Sequence, residues 1–269
     1  MEVISYFMGG NSFPIVVRHQ QQKKLVKLRA GLSGGHASVS EWFGNIVGDF
    51  LGIYTRQPYW IFLPDDLVYD KMYIEVKDLI EKSLGVNIAF DFIENAQSVQ
   101  SHDLKSLDIS QYVDVFLFDV IMLNIDRTKS HPNMLMDNDK RIIVSDFDAS
   151  LLFNELLSGS NLQHNSRVLQ CLKEHPFYQI VSSDKIADFL SNLNNVDFKS
   201  IIETIPDDIL ELQFKSQILE VIAQRVRDDW QLKELLENIS VTRVESELER
   251  NRRIRQNREQ LERRVRLQG

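Results

Sequence analysis

The hydrophobic pattern of this chain changes near residue 94, and that change restricts the fold more than any other feature. Before it, short runs rich in β-branched and aromatic residues are separated by turn residues, which is typical of strands. The predicted strands cover residues 3–7, 14–17, 24–28, 59–63 and 86–93. After it, apolar residues recur at helical spacing. Strands and helices that are segregated along a chain, rather than alternating, indicate an α+β fold with two lobes.

The predicted boundaries follow from this pattern. Residues 1–94 form a strand-rich N-lobe, in which one amphipathic helix begins near Ser40 and a second covers residues 65–84. Residues 95–240 form a helical C-lobe, and residues 241–269 form a charged, helix-prone tail. The helices predicted in the C-lobe include residues 109–123, 183–193, 196–205 and 206–238.

Length and composition are those of a water-soluble domain. A chain of 269 residues with 43% hydrophobic content can bury a core without disulfides or a structural metal. Cys171 is the single cysteine, so no intrachain disulfide can form, which fits a reducing compartment. The strongest apolar run, residues 113–123, contains Asp114 and Asp119 and does not read as a membrane helix. Because no secretory signal is evident either, we expect a cytoplasmic protein without membrane association.

Charge is distributed unevenly along the chain. The net charge is −8, but residues 241–269 hold nine Arg against five Glu, which leaves −12 on the rest. An acidic body argues against nucleic acid as a partner. The tail is interpreted either as a solvated helix with Glu–Arg pairs or as a partner-binding arm.

Residues suited to catalysis concentrate between Asn124 and Asp148. An apolar helix leads Asp126 into a loop, Asn133 opens a short strand, and a hairpin returns to place Asp146 at the end of a second strand. Phosphoryl transfer needs one carboxylate to orient the acceptor hydroxyl and oxygen ligands to hold Mg²⁺ against the phosphates. Asp126 fits the first role, and Asn133 and Asp146 fit the second. Each residue by itself is also typical of a turn or a cap.

A second set of residues upstream suits the phosphates of a nucleotide. Gly9 and Gly10 lie in the turn MGGN between the first two strands, where backbone N–H groups can cover phosphates. Lys27, on a following strand, can reach the same phosphates as a point charge. Glu41, in the next helix, can hold Lys27 by an ion pair. A hairpin turn, an exposed strand lysine and an ordinary first-turn acid are the alternatives.

The order of these parts resembles that of the HipA-like kinases, especially the compact members without a long N-terminal extension. The matching stretches lie within about residues 5–235, and the most specific piece carries Asn124, Asp126 and Arg127. They read FMGGNSFPIVVRHQQQKKLVKL, SEWFGNIVGDFLGI, FDVIMLNIDRTKSHPNMLM and IIVSDFD.

The resemblance implies a protein-kinase-like fold that binds ATP and Mg²⁺ between a strand-rich N-lobe and a helical C-lobe. It implies that Lys27 contacts the α/β-phosphates, Glu41 pairs with Lys27, Asp126 is the catalytic aspartate, and Asn133 and Asp146 bind metal. Known members include protein kinases that act as toxins by phosphorylating serine or threonine on components of translation. A protein substrate and an antitoxin or regulatory partner are therefore expected by analogy.

The sequence departs from the family pattern at two places. Asp126 and Asn133 are seven residues apart, which is longer than the usual spacing, so the loop must bulge or another residue must supply the amide. Phe147 and Asp148 follow Asp146 where glycine or histidine is commoner. Asp148 is interpreted as a cap for the backbone after the hairpin rather than as a further metal ligand.

Two other functions remain open at this stage. The run IIVSDFDAS can be read as the strand and Asp-x-Asp pair of a haloacid-dehalogenase-like phosphohydrolase, with Asp146 as nucleophile and Asp148 as acid and base. That alternative predicts a core of alternating βαβ units. A pseudokinase that uses the same fold for interaction is the second alternative, because the glycine loop is sparse. If the chain is a kinase, Ser33, Ser38 and Ser40 are candidate autophosphorylation sites.

Overall fold

The computed structural model describes residues 1–7, 13–31, 35–69, 72–153, 165–227 and 229–242. In this part of the chain, one antiparallel sheet of five strands precedes a smaller sheet of three strands and a set of helices. The predicted α+β segregation into a strand-rich N-lobe and a helical C-lobe is confirmed. Gly9, Gly10 and residues 243–269 of the predicted tail lie outside the described residues.

The five-stranded sheet brings Lys27 to the middle of the N-lobe. Its strands run in the order β1-β2-β3-β5-β4. They are β1 (Glu2–Tyr6), β2 (Ile15–His19), β3 (Gln22–Lys27), β4 (Pro58–Leu63) and β5 (Gly85–Asp91). Gln20 and Gln21 join β2 to β3 with φ angles of 48° and 67°, the left-handed pair that a tight two-residue hairpin requires. Lys27, the last residue of β3, pairs with Ile88 in the neighbouring β5.

Helix α1 (Gly35–Phe50) packs on the sheet and carries Glu41. It begins before the start that the sequence predicts at Ser38 or Ser40, so both serines are helical rather than loop residues, and both are fully buried. Burial removes them as accessible autophosphorylation sites, while Ser33 lies outside the described residues.

Helix α2 (Ile74–Lys82) is shorter than the helix predicted over residues 65–84. The amide of Leu67 closes a turn on the carbonyl of Pro64, and Val68 forms a bridge with Glu2 at the edge of the sheet. These backbone hydrogen bonds hold the residues before α2 out of a helix, whatever their local propensity.

The C-lobe begins with a small antiparallel sheet in the order β6-β7-β8 and a buried helix, α3 (Val113–Met122). The strands are β6 (Gln97–Ser98), β7 (Met134–Met136) and β8 (Ile142–Val144). Two 3₁₀ segments, Asp103–Ser106 and Ile109–Tyr112, precede α3, and Leu123 ends it with a left-handed φ of 51°. Helix α3 therefore stops abruptly and turns the chain into the loop that carries Asp126.

The remaining helices surround α3. They are α4 (Ser166–Lys173), α5 (Ser183–Asn194), α6 (Phe198–Glu203), α7 (Leu212–Arg227) and α8 (Asp229–Val241). Helices α7 and α8 fall within the helix predicted over residues 206–238, and residue 228 between them lies outside the described residues. The first of the two starts later than predicted because Ile209 and Leu210 both close turns on the carbonyl of Pro206. Among the described residues, no helix has the length and apolar character needed to cross a membrane.

The apolar residues form two cores. One lies between the outer face of the large sheet and α2 and includes Val17, Leu28 and Ile80. The other extends from α1 through α3 into the C-lobe and includes Phe43, Phe118 and Phe147. Helix α1 belongs to this second core together with Ile88 and Phe90 of β5, so the core links the N-lobe sheet to the C-lobe.

Candidate active site

Lys27 lies at the centre of a group of three carboxylates. Its Nζ donates hydrogen bonds to Glu41 Oε1 from α1 and to Asp146 Oδ1, the second at 2.5 Å. Asp148 Oδ2 lies 3.3 Å from the same nitrogen. We call Lys27, Glu41, Asp146 and Asp148 the lysine cluster. The geometry favours a carboxylate of Asp148 that faces Lys27 over the predicted backbone cap.

The lysine cluster carries more negative than positive charge. Burial by itself lowers the pKa of Lys27, but the charges of Asp146, Glu41 and Asp148 outweigh it and raise that pKa, so the ammonium stays charged. Burial raises the pKa of Glu41 to about 7. Burial together with the nearby charge of Asp146 raises the pKa of Asp148, whereas Lys27 lowers the pKa of Asp146 despite burial. One ammonium therefore does not neutralise the three acids.

Asn45, one turn after Glu41 on α1, fixes the position of that carboxylate. Its Nδ2 donates to Glu41 Oε2 at 3.1 Å, and its Oδ1 accepts from the backbone N–H of Arg56 at 3.2 Å. The Arg56 side chain stacks over the ring of Phe90, and burial lowers its pKa to about 10. Sequence reasoning missed both residues, although an asparagine four positions after Glu41 on a helix is a recognisable signal.

The segment after β8 directs Asp146 and Asp148 toward Lys27. Asp146 has a left-handed φ of 67°, and Phe147 is fully buried between the two acids. The backbone N–H of Phe147 donates to Glu41 Oε1 at 3.0 Å. A backbone turn at Asp146 and a buried side chain at Phe147 thus place both carboxylates on one side.

The loop from Asp126 to Asn133, the predicted catalytic loop, contains the bulge that the spacing of these two residues requires. The backbones of Thr128 and His131 exchange two hydrogen bonds of 3.0 and 3.1 Å, which close the extra residues into a separate turn. The N–H of Lys129 donates to the carbonyl of Glu174 at 2.9 Å and fixes that turn to the C-lobe. Asn133 Nδ2 then reaches Asp126 Oδ2 at 2.8 Å. Because the amide nitrogen faces Asp126, the amide oxygen of Asn133 remains for a metal.

Arg127 connects the loop that carries Asp126 to the hairpin of β7 and β8. It is fully buried, and its Nε donates to Asp119 Oδ2 at 2.5 Å. Its Nη1 donates to the carbonyls of Asn133 at 2.5 Å and Ser145 at 2.8 Å. Asn124 Nδ2 donates to the other oxygen of Asp119 at 3.0 Å. One guanidinium therefore connects the residues that flank Asp126 with those that flank Asp146.

His175 completes this second group of buried charges. The backbone N–H of Phe177 donates to His175 Nδ1 at 3.1 Å, so the ring proton is on Nε2, which lies 2.9 Å from Asp119 Oδ2. Burial lowers the pKa of His175 and keeps the ring neutral. Burial would raise the pKa of Asp119, but Arg127 lowers it and keeps the carboxylate ionised. We call Asp119, Arg127 and His175 the arginine cluster.

The sequence analysis did not identify the arginine cluster. Asp119 was used only as evidence against a membrane helix, although an acid inside a helix that is otherwise apolar must find a partner. Arg127, eight residues later, was the available candidate. His175 lies 56 residues from Asp119 and carried no signal of its own.

A cavity of about 720 Å³ lies between the lobes, a volume within the range of small-molecule sites. Apolar side chains from both lobes line it, including Leu25, Phe90 and Leu135, together with Asp126 and the four residues of the lysine cluster. Phe7 and Pro14, on either side of the segment that contains Gly9 and Gly10, also line it.

The acids in this cavity suit a divalent cation. Oxygen atoms of Glu41, Asp146 and Asp148 lie within 4.8 Å of one another. Carboxylate oxygens, together with the amide oxygen of Asn133, are ligands that Mg²⁺ prefers. The three acids therefore fit a hard divalent cation. Asp146 and Asn133 are the metal ligands that the sequence predicts, and Asp148 adds a further carboxylate beside Asp146.

The geometry contradicts the phosphohydrolase alternative. The strand that precedes Asp146, β8, pairs antiparallel with β7 in a sheet of three strands. Within the described residues, the large sheet is antiparallel as well, so the alternating βαβ core that this alternative predicts does not form. That alternative is therefore wrong.

Comparison with known proteins identifies the class. A family model described as HipA-like kinase matches residues 1–234, which is most of the chain. This chain therefore belongs to the HipA-like kinase family, and its fold is the two-lobed protein-kinase-like fold. No curated protein matches its sequence.

Three solved structures of kinases are similar to the chain. A proinflammatory kinase, CtkA from Helicobacter pylori, is 14% identical, with 89% of this chain and 97% of that chain covered and a TM-score of 0.49. The choline kinase LicA from Streptococcus pneumoniae is 12% identical, with 88% and 94% covered and a TM-score of 0.30. The MAP kinase LmaMPK10 from Leishmania major is 11% identical, with 89% and 86% covered and a TM-score of 0.25. With TM-scores below 0.5, these similarities carry nothing about substrate or mechanism.

Proposed function

We propose that this protein is an ATP-dependent kinase that transfers the γ-phosphate of MgATP to a hydroxyl group of a protein serine or threonine. The observation that carries the proposal is that one and the same cavity between the lobes is lined both by Asp126 and by the lysine cluster. Family membership gives the reaction class. The protein acceptor is proposed from the resemblance to the toxin kinases, as is a regulatory or antitoxin partner.

The residues of the site divide the work of phosphoryl transfer. Lys27 would hold the α/β-phosphates, and Glu41 keeps the ammonium in place. Asn133 Nδ2 already occupies Asp126 Oδ2, which leaves Oδ1 to accept the proton of the substrate hydroxyl. The hydroxyl oxygen bonds to the γ-phosphorus as the bond from that phosphorus to the β–γ bridging oxygen breaks. Asp146 and Asn133 would hold Mg²⁺, which would neutralise charge on the phosphates.

Radiolabelled ATP tests the proposal without a known acceptor. The protein is incubated with γ-labelled ATP, Mg²⁺ and a heat-treated cell extract whose own kinases are inactive. We expect labelled extract proteins with the wild type and with Asp139→Asn, an exposed acid in the hairpin turn. We expect the label to fall by about 10²–10⁴-fold with Asp126→Asn, because the residue that receives the proton is lost.

The same assay separates the pseudokinase alternative. Nucleotide binding is measured in parallel on each variant. A wild type that binds ATP but labels no protein would support the pseudokinase, and equal labelling by wild type and Asp126→Asn would contradict the role of that aspartate.

A further inference from the structure

Helix α1 contains a glycine at position 44, in its interior and three residues after Glu41. Glycine is unfavourable inside a helix, so its presence there calls for a steric reason. A methyl group added at Gly44 would lie closest to Cγ of Phe147, 2.7 Å from its Cβ and 2.8 Å from its Cδ1. Carbon atoms that are not bonded do not approach so closely. The missing side chain of Gly44 is the space that Phe147 fills.

Phe147 has little room to move away from Gly44. Its side chain is fully buried, and its ring meets the ring of Phe118 edge to face at 5.9 Å. The guanidinium of Arg127 lies 5.0 Å from its centre. On the α1 side, its backbone N–H is bonded to Glu41. Phe147 is therefore confined between α1, α3 and the catalytic loop.

The position of Phe147 determines where its two neighbours can lie. Asp146 and Asp148 are bonded to it directly, and both direct a carboxylate at Lys27. A methyl group at Gly44 would displace Phe147 by about an ångström. A displacement of that size is enough to break the hydrogen bonds that Lys27 donates to Asp146 and Asp148. It would also withdraw an N–H donor from Glu41.

We propose that Gly44 is a positioning residue for phosphoryl transfer: by lacking a side chain, it allows Phe147 to pack on α1 and so holds Asp146 and Asp148 on Lys27. The functional consequence rests on the proposed kinase reaction. The packing of Phe147 against Gly44 does not, and it is measured separately.

Gly48 offers a matched control on the same helix. A methyl group at Gly48 would be crowded by one atom, Cγ2 of Thr55 at 2.8 Å, and would lie in ordinary contact with Phe118 at 3.7 Å, but it would not meet Phe147. Gly44→Ala and Gly48→Ala therefore make the same chemical change, with the same gain in helix propensity, at two crowded positions. They differ in whether the added methyl faces the segment that carries Asp146.

Hydrogen exchange followed by mass spectrometry tests the packing in the absence of nucleotide. In peptides that cover residues 142–150, we expect Gly44→Ala to raise the exchange rate of the Phe147 amide by about tenfold or more, because its bond to Glu41 opens. We expect Gly48→Ala to change that rate by less than about threefold. Equal rates in the two variants would overturn the proposal.

A double variant tests whether Phe147 is the reason. Phe147→Ala removes Cγ and Cδ1, two of the three atoms that a methyl group at Gly44 would meet. If the proposal holds, Gly44→Ala costs much less in the Phe147→Ala background than in the wild type, both in exchange rate and in kcat. The proposal would be overturned if the two substitutions acted independently, so that the change in the double variant equals the product of the changes in the single variants. If Gly44→Ala does not fold, recovery of folded protein by the double variant supports the proposal, and failure to recover it contradicts it.

Phosphotransfer gives the functional arm of the same experiment. We expect Gly44→Ala to lower kcat by about tenfold or more with little change in KM for the acceptor, because the metal-binding acids move and the acceptor surface does not. A wild type without phosphotransfer would remove the proposed function, while the exchange rates would still decide the role of Gly44. Altered exchange with unchanged kcat would overturn the positioning role alone.

Discussion

The lysine cluster and the arginine cluster are both buried groups of opposite charges, and the segment from Asp126 to Asp148 contributes residues to each of them. In the arginine cluster, one guanidinium faces one carboxylate, and the third member is a neutral histidine. In the lysine cluster, one ammonium faces three carboxylates at the wall of a cavity. The first cluster is balanced in charge and the second is not.

This difference separates a structural role from a ligand-binding one. Burying charges is costly unless they are paired, so a balanced cluster can be retained for the geometry that it fixes. An unbalanced cluster beside a cavity is the arrangement expected where a bound cation completes the charge. The arginine cluster would then hold the catalytic loop, while the lysine cluster would meet Mg²⁺ and the phosphates.

Breaking the arginine cluster should have the largest effect on stability. Arg127→Met leaves Asp119 as a buried and unpaired carboxylate, and we expect the free energy of unfolding to fall by about 3–5 kcal/mol. Urea denaturation measures this. Lys82→Met, which removes an exposed ion pair with Asp78, is the control and should cost less than about 1 kcal/mol. A loss at Arg127 no larger than that of the control would contradict the structural role.

Breaking the lysine cluster should instead affect activity. We expect Asp146→Asn to lower phosphotransfer by about 10²-fold or more, because the proposed metal loses a charged ligand. Its melting temperature should remain close to that of the wild type, since the substitution removes one negative charge from a cluster that holds more negative than positive charge. Phosphotransfer and melting temperature are measured on the same preparation. Retained phosphotransfer together with a lowered melting temperature would contradict a ligand-binding role for the lysine cluster and would indicate a structural one.

Acid should weaken the arginine cluster through His175. Its pKa is lowered by burial in the folded protein, so the unfolded chain takes up a proton first, near pH 6.5. Stability from the neutral ring is therefore present above about pH 6.5 and lost as the pH falls below it, by up to about 1.4 kcal/mol per pH unit.

Unfolding free energies between pH 5 and 8 test this expectation. His175→Gln should remove this contribution from the pH dependence, whereas His102→Gln, at an exposed histidine, should leave it intact. Glu41, whose pKa burial raises to about 7, adds a slope of the opposite sign in all three proteins. The same slope in both variants would assign the acid sensitivity to other groups.

The smallest effect is expected from Asp148. Asp148→Asn relieves repulsion within the unbalanced cluster, so we expect the ligand-free protein to keep its stability or to gain up to about 1 kcal/mol. Differential scanning calorimetry without metal measures it. A clear loss of stability would mean that Lys27 requires all three carboxylates, and it would contradict an excess of negative charge in the lysine cluster.

The two clusters also differ in how far the sequence predicted them. Lys27, Glu41, Asp126, Asn133 and Asp146 could be selected in advance, because each lies at a fixed position within a strand, helix or loop pattern. The structure places four of them on one cavity or beside it, and Asn133 reaches the site through a bulged turn that the spacing required. Gly9 and Gly10 lie outside the described residues.

The remaining features depend on contacts between distant residues, which leave no periodic signal. His175 meets Asp119 across 56 residues, and Phe147 reaches Glu41 across 106. Likewise, the helix predicted over residues 65–84 was wrong at its start because Val68 pairs with Glu2 at the other end of the N-lobe. Local propensity decided the existence of the elements, and tertiary pairing decided their ends.

The Mg²⁺ dependence of ATP binding tests the unbalanced lysine cluster most directly. Calorimetric titrations compare ATP with and without Mg²⁺ for the wild type, Asp146→Asn and the exposed control Asp139→Asn. We expect Mg²⁺ to tighten binding by about tenfold or more, which is 1.4 kcal/mol, in the wild type and in Asp139→Asn, and to lose most of that gain in Asp146→Asn. ATP affinity that is the same with and without Mg²⁺, or a gain that survives in Asp146→Asn, would contradict the account.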